Sequence, residues 1–478
     1  MTNHPLNLDE AAERTGLWWL PEDPDRKVPG TLRYDGEGGL SLSLNGALKN
    51  RNTYDPANGV PGYHEGAMTW HVIYGEDKQQ GEVTLLRCAL TSGKEGMLPR
   101  SKSRDTQLVR ATIAIIGVHV SGEGDAAFAA AEVSVEDLGL WAASSAFEYP
   151  RDTNDDKSDG TETISVKPVE AQTVTVDGTE YRLVHTYTLP SFDKRKSGTV
   201  AHMRDTASIR VCPTEPFSLS AALEAADLIQ DLIALAMHRA AGVIWLQLEV
   251  ARTDSVLQNG QPLHANVLYS PLVLGKHDAK AVDSDCVFFT CAAFPFEEVL
   301  PRWCEVHDRL RAAINMILGL RYAPAHFIEN NLLMAVGAAE VLHRGLDIDE
   351  KPFPEAEFKD MRDKMLDQAP QEHRARLKSA IRNDPTLQDR LRALAARPDP
   401  EAIAQLVPDI DHWAKRTTQA RNDLAHTGRT PYHSIDELVA IVKATTAVVI
   451  LNVLHELGLP AERQRQIVEE HRQLRAVC

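Results

Sequence analysis

The chain is short of positive charge. Its 478 residues carry 51 Lys and Arg against 68 Asp and Glu, a formal charge of −17. Neutralising backbone phosphates is what drives general nucleic-acid coating, so that class is excluded, and any action on nucleic acid needs cations gathered locally. Cysteine is also scarce. The six, at 88, 212, 286, 291, 304 and 478, form no Cys-x-x-Cys pair, as expected of reduced thiols. No apolar run reaches the length of a membrane span: the most apolar late stretch, 447–459, is interrupted by Asn452, His455 and Glu456, and Met1 to Glu10 has no basic region followed by an apolar one. A cytosolic protein with no membrane partner is the expectation. A Walker A loop, a Gly-x-Ser-x-Gly elbow and a His-Glu-x-x-His helix are all missing.

What is present is an ordinary globular composition, 43% apolar and 25% charged, over a length that predicts two to four domains. From about Gly30 to Cys212 the pattern is that of strands. Leu40 to Leu44 alternate, Val83 to Leu90 and Thr106 to Val120 are β-branched and apolar, and Thr161 to Thr188 reads as two or three strands. Arg151 to Gly160 and Ser191 to Val200 read as loops. A helix is predicted from Ser218 to Arg239, then strands over 243–250 and 265–274. Beyond Pro295 the period is helical, with helices at about 297–318, 325–344, 354–368, 371–383, 386–396, 400–407 and 411–427, and a last one from the capping box Ser434-Ile435-Asp436-Glu437 to Leu457. The fold class is α+β and multidomain: a β-rich region over 1–212, a mixed α/β continuation over 213–294, and an all-α helical bundle over 295–478.

Within that helical part, Arg421-Asn422-Asp423-Leu424-Ala425-His426 is an Arg-x4-His hexapeptide. Chance places roughly one such pair in a chain of this composition, and there are three. Arg302 and His307 fall in a helix where an exposed charged face explains them, and Arg321 and His326 straddle a turn marked by Gly319 and Pro324. The third lies on a helix capped by Asp409 or Asp411 and stopped by Gly428 and Pro431, which sets His426 in the last turn. There the negative end of the helix macrodipole favours the imidazolium, a form suited to proton exchange at a 2′-hydroxyl. Each helical residue advances about 100°, so Arg421 and His426 diverge by about 140°. They converge only if the helix is irregular or if a second copy of it supplies the other side. Asn422 and His426, four apart, share a face, where the amide can orient the ring or hold a phosphate oxygen.

Arg421, Asn422 and His426 match the motif of HEPN domains, and the chain resembles the ApeA-type HEPN proteins of bacterial anti-phage defence. Gly16-Leu17-Trp18-Trp19-Leu20-Pro21, Val28-Pro29-Gly30-Thr31-Leu32 and Ile73-Tyr74-Gly75 are similar to the opening of the ApeA N-terminal region. The resemblance implies an all-helical nuclease domain that dimerises across the motif helix and cuts RNA without metal or cofactor. It implies defence by growth arrest, with a structured RNA such as tRNA as substrate, a phage-derived trigger, and a homodimer or higher assembly. Many nuclease members carry a Tyr two positions after the His. Here Gly428 stands there, so that role has no counterpart. The non-enzymatic alternative is a HEPN dimerisation module whose β-rich half binds a phage component.

Residues 371–429 hold 11 Lys and Arg against 8 Asp and Glu, and Lys415, Arg416 and Arg429 are the candidates for RNA contact; mixed, solvated helix faces are the competing reading. Cys286, Cys291, Cys304 and His307 can be written as a zinc set, but their predicted strand and helix make core thiols the better reading. Gly122 to Ala127 resembles a dinucleotide fingerprint without room for its helix, so a loop is expected. Trp18 and Trp19, with no basic residue beside them in sequence, read as core anchors rather than a base-stacking platform. Glu340, on the helix before Gly345, reads by default as a solvated or helix-pairing side chain, with support for the nuclease cleft as the alternative.

Overall fold

The computed structural model describes residues 4–49, 52–54, 61–63, 67–77, 81–94, 105–148, 163–251, 262–281, 287–348, 351–471 and 474. The chain divides into two compact units, Met1–Pro301 and Arg302–Cys478. The loop expected over Arg151 to Gly160 lies outside the described residues, as does Cys286.

The first unit is built on one antiparallel sheet. Its first strands are β1 (Ala12–Leu20), β2 (Asp23–Tyr34) and β3 (Leu40–Leu44), followed by the small hairpin β4 (Asn52–Tyr54) and β5 (Pro61–Tyr63), then β6 (Thr69–Asp77), β7 (Gly81–Lys94), β8 (Thr106–Ala111) and β9 (Ile113–Ile116). β8 pairs with both β3 and β7, which closes β1, β2, β3, β8, β7 and β6 into a six-stranded barrel. The long β7 serves two structures: Val83–Leu86 pair with β9, while Ala89–Lys94 pair with β8. Between the two stretches Arg87 takes φ 52°, and within the second the register shifts at Leu90/Ser92. The strand signal over 106–120 comprises two strands, β8 in the barrel and β9 leading out of it.

The rest comprises β10 (Phe128–Val135), α1 (Leu138–Ala142), the short pair β11 (Phe147–Glu148) and β12 (Ser165–Val166), then β13 (Gln172–Val176), β14 (Thr179–Tyr187), the hairpin β15 (Ser191–Arg195) and β16 (Gly198–His202), β17 (Asp205–Pro213), α2 (Leu219–Ala236), β18 (Val243–Val250) and β19 (His264–Tyr269). From β9 the sheet runs on in the order β19, β18, β10, β17, β14, β13. α2, capped by Ser218, packs on β10 and β18. Ser191 to Val200, expected as a loop, instead begins a fully exposed hairpin, because alternation there carries no buried face to betray it. Gly122 to Ala127 is a turn, with Asp125 accepting from the Ser121 N–H at 3.0 Å.

The three motif segments of the N-terminal region meet on adjacent strands around Trp18, which is fully buried. Trp18 lies opposite Gly75 across the β1–β6 pair, and Gly16 opposite Gly30 across β1–β2. A Cβ on Gly75 would stand 2.4 Å from the Trp18 ring, and one on Gly30 would stand 3.1 Å from it. The glycines are thus the space the indole occupies. Gly75→Ala is expected to destabilise this unit by about 1–3 kcal/mol through overpacking, whereas Gly124→Ala, with no atom within 4 Å of the new Cβ, stays near neutral; denaturant unfolding of the two variants checks this. Trp19 is buried too, but Lys27 of β2 lies over its ring at 4.2 Å from the centroid. A basic residue does stand beside it, brought by strand pairing rather than by sequence.

The second unit is helical: α3 (Phe296–Tyr322), α4 (Ile328–Gly345), α5 (Glu355–Gln368), α6 (Gln371–Ala380), α7 (Leu387–Ala395), α8 (Pro400–Leu406), α9 (Ile410–Thr427), α10 (Ile435–Glu456) and α11 (Ala461–Glu470). α10 is the core, packed by α4, α7, α8, α9 and α11. By length and composition it could cross a membrane, but 67% of its most apolar window is buried inside the protein. Two of the polar residues interrupting that run have partners within the unit. Asn452 Nδ2 donates to Leu394 O of α7 at 3.0 Å and to Val448 O at 2.8 Å, and Glu456 pairs with Arg309 and Arg397. α11 escapes sequence reading because AERQRQIVEE is nearly all polar, burying only Gln464, Ile467 and Val468.

Candidate active site

The orientation of the hexapeptide is set by what α9 buries. Asp409 caps the helix, its carboxylate accepting from the His412 N–H at 2.8 Å, and Gly428, at φ 67°, ends it with its N–H on Leu424 O at 2.9 Å. Trp413, Ala414, Thr417 and Ala420 are buried, and Leu424 packs with Leu332, Val336, Leu438 and Ile441. This stripe at helical spacing faces α4 and α10. Arg421 follows Ala420 and falls on its flank. Asn422 and His426 project from the opposite side, together with the exposed Lys415.

Arg421 is held between two oxygens. Its Nη2 lies 3.2 Å from Glu340 Oε1 on α4, and its Nη1 donates to Asn422 Oδ1 at 3.2 Å. Glu340, 17% exposed, has its other oxygen 3.9 Å from Arg344 Nη2. Its sequence signal was only its place on the helix before Gly345. His426 is exposed in the final turn. α9 is regular throughout, so the irregular helix that would bring Arg421 and His426 together within one chain is not found; Asn422 meets Arg421 rather than the His426 ring.

The three basic candidates separate. Lys415 and Arg429 are exposed. Arg416 is occupied by the protein itself: Nε and Nη2 bind the Glu437 carboxylate at 2.6 and 2.8 Å, Nη1 binds Gln419 Oε1 at 2.9 Å, and Nη2 also reaches Tyr432 O at 2.6 Å. Hydrogen bonding from Arg416 holds the Glu437 carboxyl below its usual range and raises the guanidinium in turn. Arg416 thus clamps the segment after the motif. At the start of α10 Ser434 accepts from the Glu437 N–H, and the Glu437 carboxylate is engaged by Arg416. Two further cations of the basic stretch, Arg392 and Arg397, are paired with Asp411 and Glu456.

The other two Arg-x4-His pairs have structural surroundings. Arg302 Nη1 donates to Leu457 O at 3.2 Å, and His307 is buried against Trp303 rather than lying on an exposed face. Arg321 and His326 flank the turn between α3 and α4. Among the described residues no three His, Cys, Asp or Glu side chains are grouped to hold a metal ion. Cys291 is buried, which pushes its thiol up to about 12.

The helical unit, carrying Arg, Asn and His on one helix, is of the HEPN class. A family model for the ApeA N-terminal domain 1 matches residues 13–303, and one for the Apea-like HEPN domain matches residues 333–463, which includes the whole of α9. The chain belongs to the ApeA-type HEPN family, a family of nuclease and defence character. No curated protein and no solved structure matches it.

Proposed function

We propose that the protein is a metal-independent RNA endonuclease acting in anti-phage defence. The observation carrying this reading is the α9 constellation. Arg421 is a guanidinium preset by Glu340 and Asn422, and His426 is an exposed imidazole one residue from the helix end. In the reaction His426 accepts the 2′-hydroxyl proton of the substrate, and the freed oxygen attacks the adjacent phosphorus. The P–O5′ bond breaks, and the leaving oxygen takes a proton from the His426 of a second chain. Arg421 stabilises charge developing on the non-bridging oxygens. The products are a 2′,3′-cyclic phosphate and a 5′-hydroxyl. A structured RNA such as tRNA is the proposed substrate, with Lys415 and Arg429 as backbone contacts. The β-rich unit is the proposed sensor that holds the nuclease silent until a phage-derived trigger arrives.

A homodimer is proposed on the same geometry, since a second α9 supplies the residues that one regular helix directs away. Supporting it is apolar surface at this end of the bundle: Phe327, Tyr432 and Ile435 are each about two-thirds or more exposed, beside the cluster that contains Ile328, Leu424 and Leu438. Purified protein incubated with total RNA in excess EDTA tests the activity. Cleavage is expected to persist; strict dependence on added magnesium would overturn the reading, because a two-metal nuclease works through a different centre.

A further inference from the structure

Behind Glu340, at the C-terminal end of α4, lies a cavity of about 450 Å³ lined by His343, Arg344, Asp347, Ile348, Pro385 and Arg390. Two of its lining residues are unusual. His343 is 4% exposed, and its Nε2 is buried with no hydrogen-bond partner; Nε of Arg390, in the first turns of α7, is likewise buried and unpartnered. Leaving such nitrogens desolvated and unbonded is costly. Burial, with the Arg390, Arg344 and Arg397 cations nearby, disfavours protonation of His343. An anion in the cavity would be held by the Arg344 and Arg390 guanidinium groups that line it, and its charge beside His343 would favour the imidazolium.

The remaining lining groups narrow the ligand. Asp347 is the one carboxylate among them, suited to accept from hydroxyl groups, and Ile348 and Pro385 offer an apolar wall. A simple inorganic anion would use neither. We infer that this cavity binds a nucleotide unit, with its phosphate on Arg344 and Arg390 beside His343, its ribose hydroxyls toward Asp347, and its base against Ile348 and Pro385. The volume falls within the range of small-molecule sites. The site touches the proposed active centre through one shared residue: Arg344 and Arg421 both pair with Glu340. A phosphate drawing on Arg344 competes with Glu340 for it and leaves that carboxylate to Arg421, so occupancy bears on the guanidinium used in cleavage.

The nucleotide can be free or part of the RNA chain, and the first source does not depend on the nuclease reading. Isothermal titration of the full-length protein with 5′-AMP, and of the His426→Ala protein with a short uncleaved RNA, separates the two. Arg390→Ala and, as a more exposed change, Arg344→Gln are compared with the parent for each, after circular dichroism confirms their folding. Weakening of AMP binding by about tenfold or more in both variants assigns the site to a free nucleotide. The same loss for RNA alone assigns it to a nucleotide of the substrate. If neither AMP nor RNA binding changes in either folded variant, the inference is overturned. Loss of cleavage in Arg421→Ala, whichever way the titrations fall, bears only on the nuclease reading.

Discussion

Arg421→Ala and His426→Ala are each expected to lower RNA cleavage by roughly 10²–10⁴-fold, the scale of losing a charge-stabilising donor or a general acid–base group. Neither change should unfold the protein. The Arg421–Glu340 pair is partly exposed on the Arg side, and such pairs contribute at most about 1 kcal/mol; His426 stands clear of the packed stripe of α9. The comparison variants have the opposite profile. His326→Ala should alter neither property, and Arg302→Ala should leave cleavage intact while forfeiting the bond to Leu457 O. Single-turnover cleavage and thermal melting of the four proteins check the pattern, and loss of activity in the comparison pair alone would show that a different Arg-x4-His carries the chemistry.

The motif helix was legible because its signals are local: Asp409 and Gly428 act within one turn of the helix ends, and the 413, 417, 420, 424 spacing fixes the buried face. The partner of Arg421 was less so. Glu340 lies 81 positions away on another helix, and only packing of α4 against α9 brings the two together. The same applies to Arg416, which sequence offers as a cation for RNA but which Glu437 and Tyr432 O occupy. In the β-rich unit a strand such as β3 was readable from alternation, yet β1 and the exposed β15–β16 hairpin were not, and neither was barrel closure, because it depends on β8 pairing twice. The glycines at 30 and 75 likewise acquire a reason only once Trp18 is seen lying against them, and Gly16 only once the β6 backbone at Glu76 is seen beside it.

Mixing wild-type chains with an equal amount of His426→Ala chains, under conditions that exchange subunits, is expected to leave about a quarter of the undiluted activity rather than half, because only wild-type pairs keep both histidines of a symmetric site. The roughly 140° between Arg421 and His426 on a regular helix makes this the larger-scale consequence of the α9 geometry. Phe327→Asp together with Ile435→Asp, which place charge on the exposed apolar surface beside α9, should shift the protein toward monomer in light scattering and remove activity with it. An active monomer, or activity in strict proportion to the wild-type chains present, would contradict the paired site.

That the nucleophile belongs to the substrate, the core of the proposed reaction, is tested most directly on an RNA that the protein cuts at a defined position, compared with the same RNA carrying a single 2′-deoxy nucleotide immediately 5′ of the cut. The all-ribose strand is expected to be cleaved in EDTA to a 2′,3′-cyclic phosphate and a 5′-hydroxyl, and the deoxy strand to be left intact at that position. Cleavage of the deoxy strand, or a 3′-hydroxyl product, would contradict the proposed reaction.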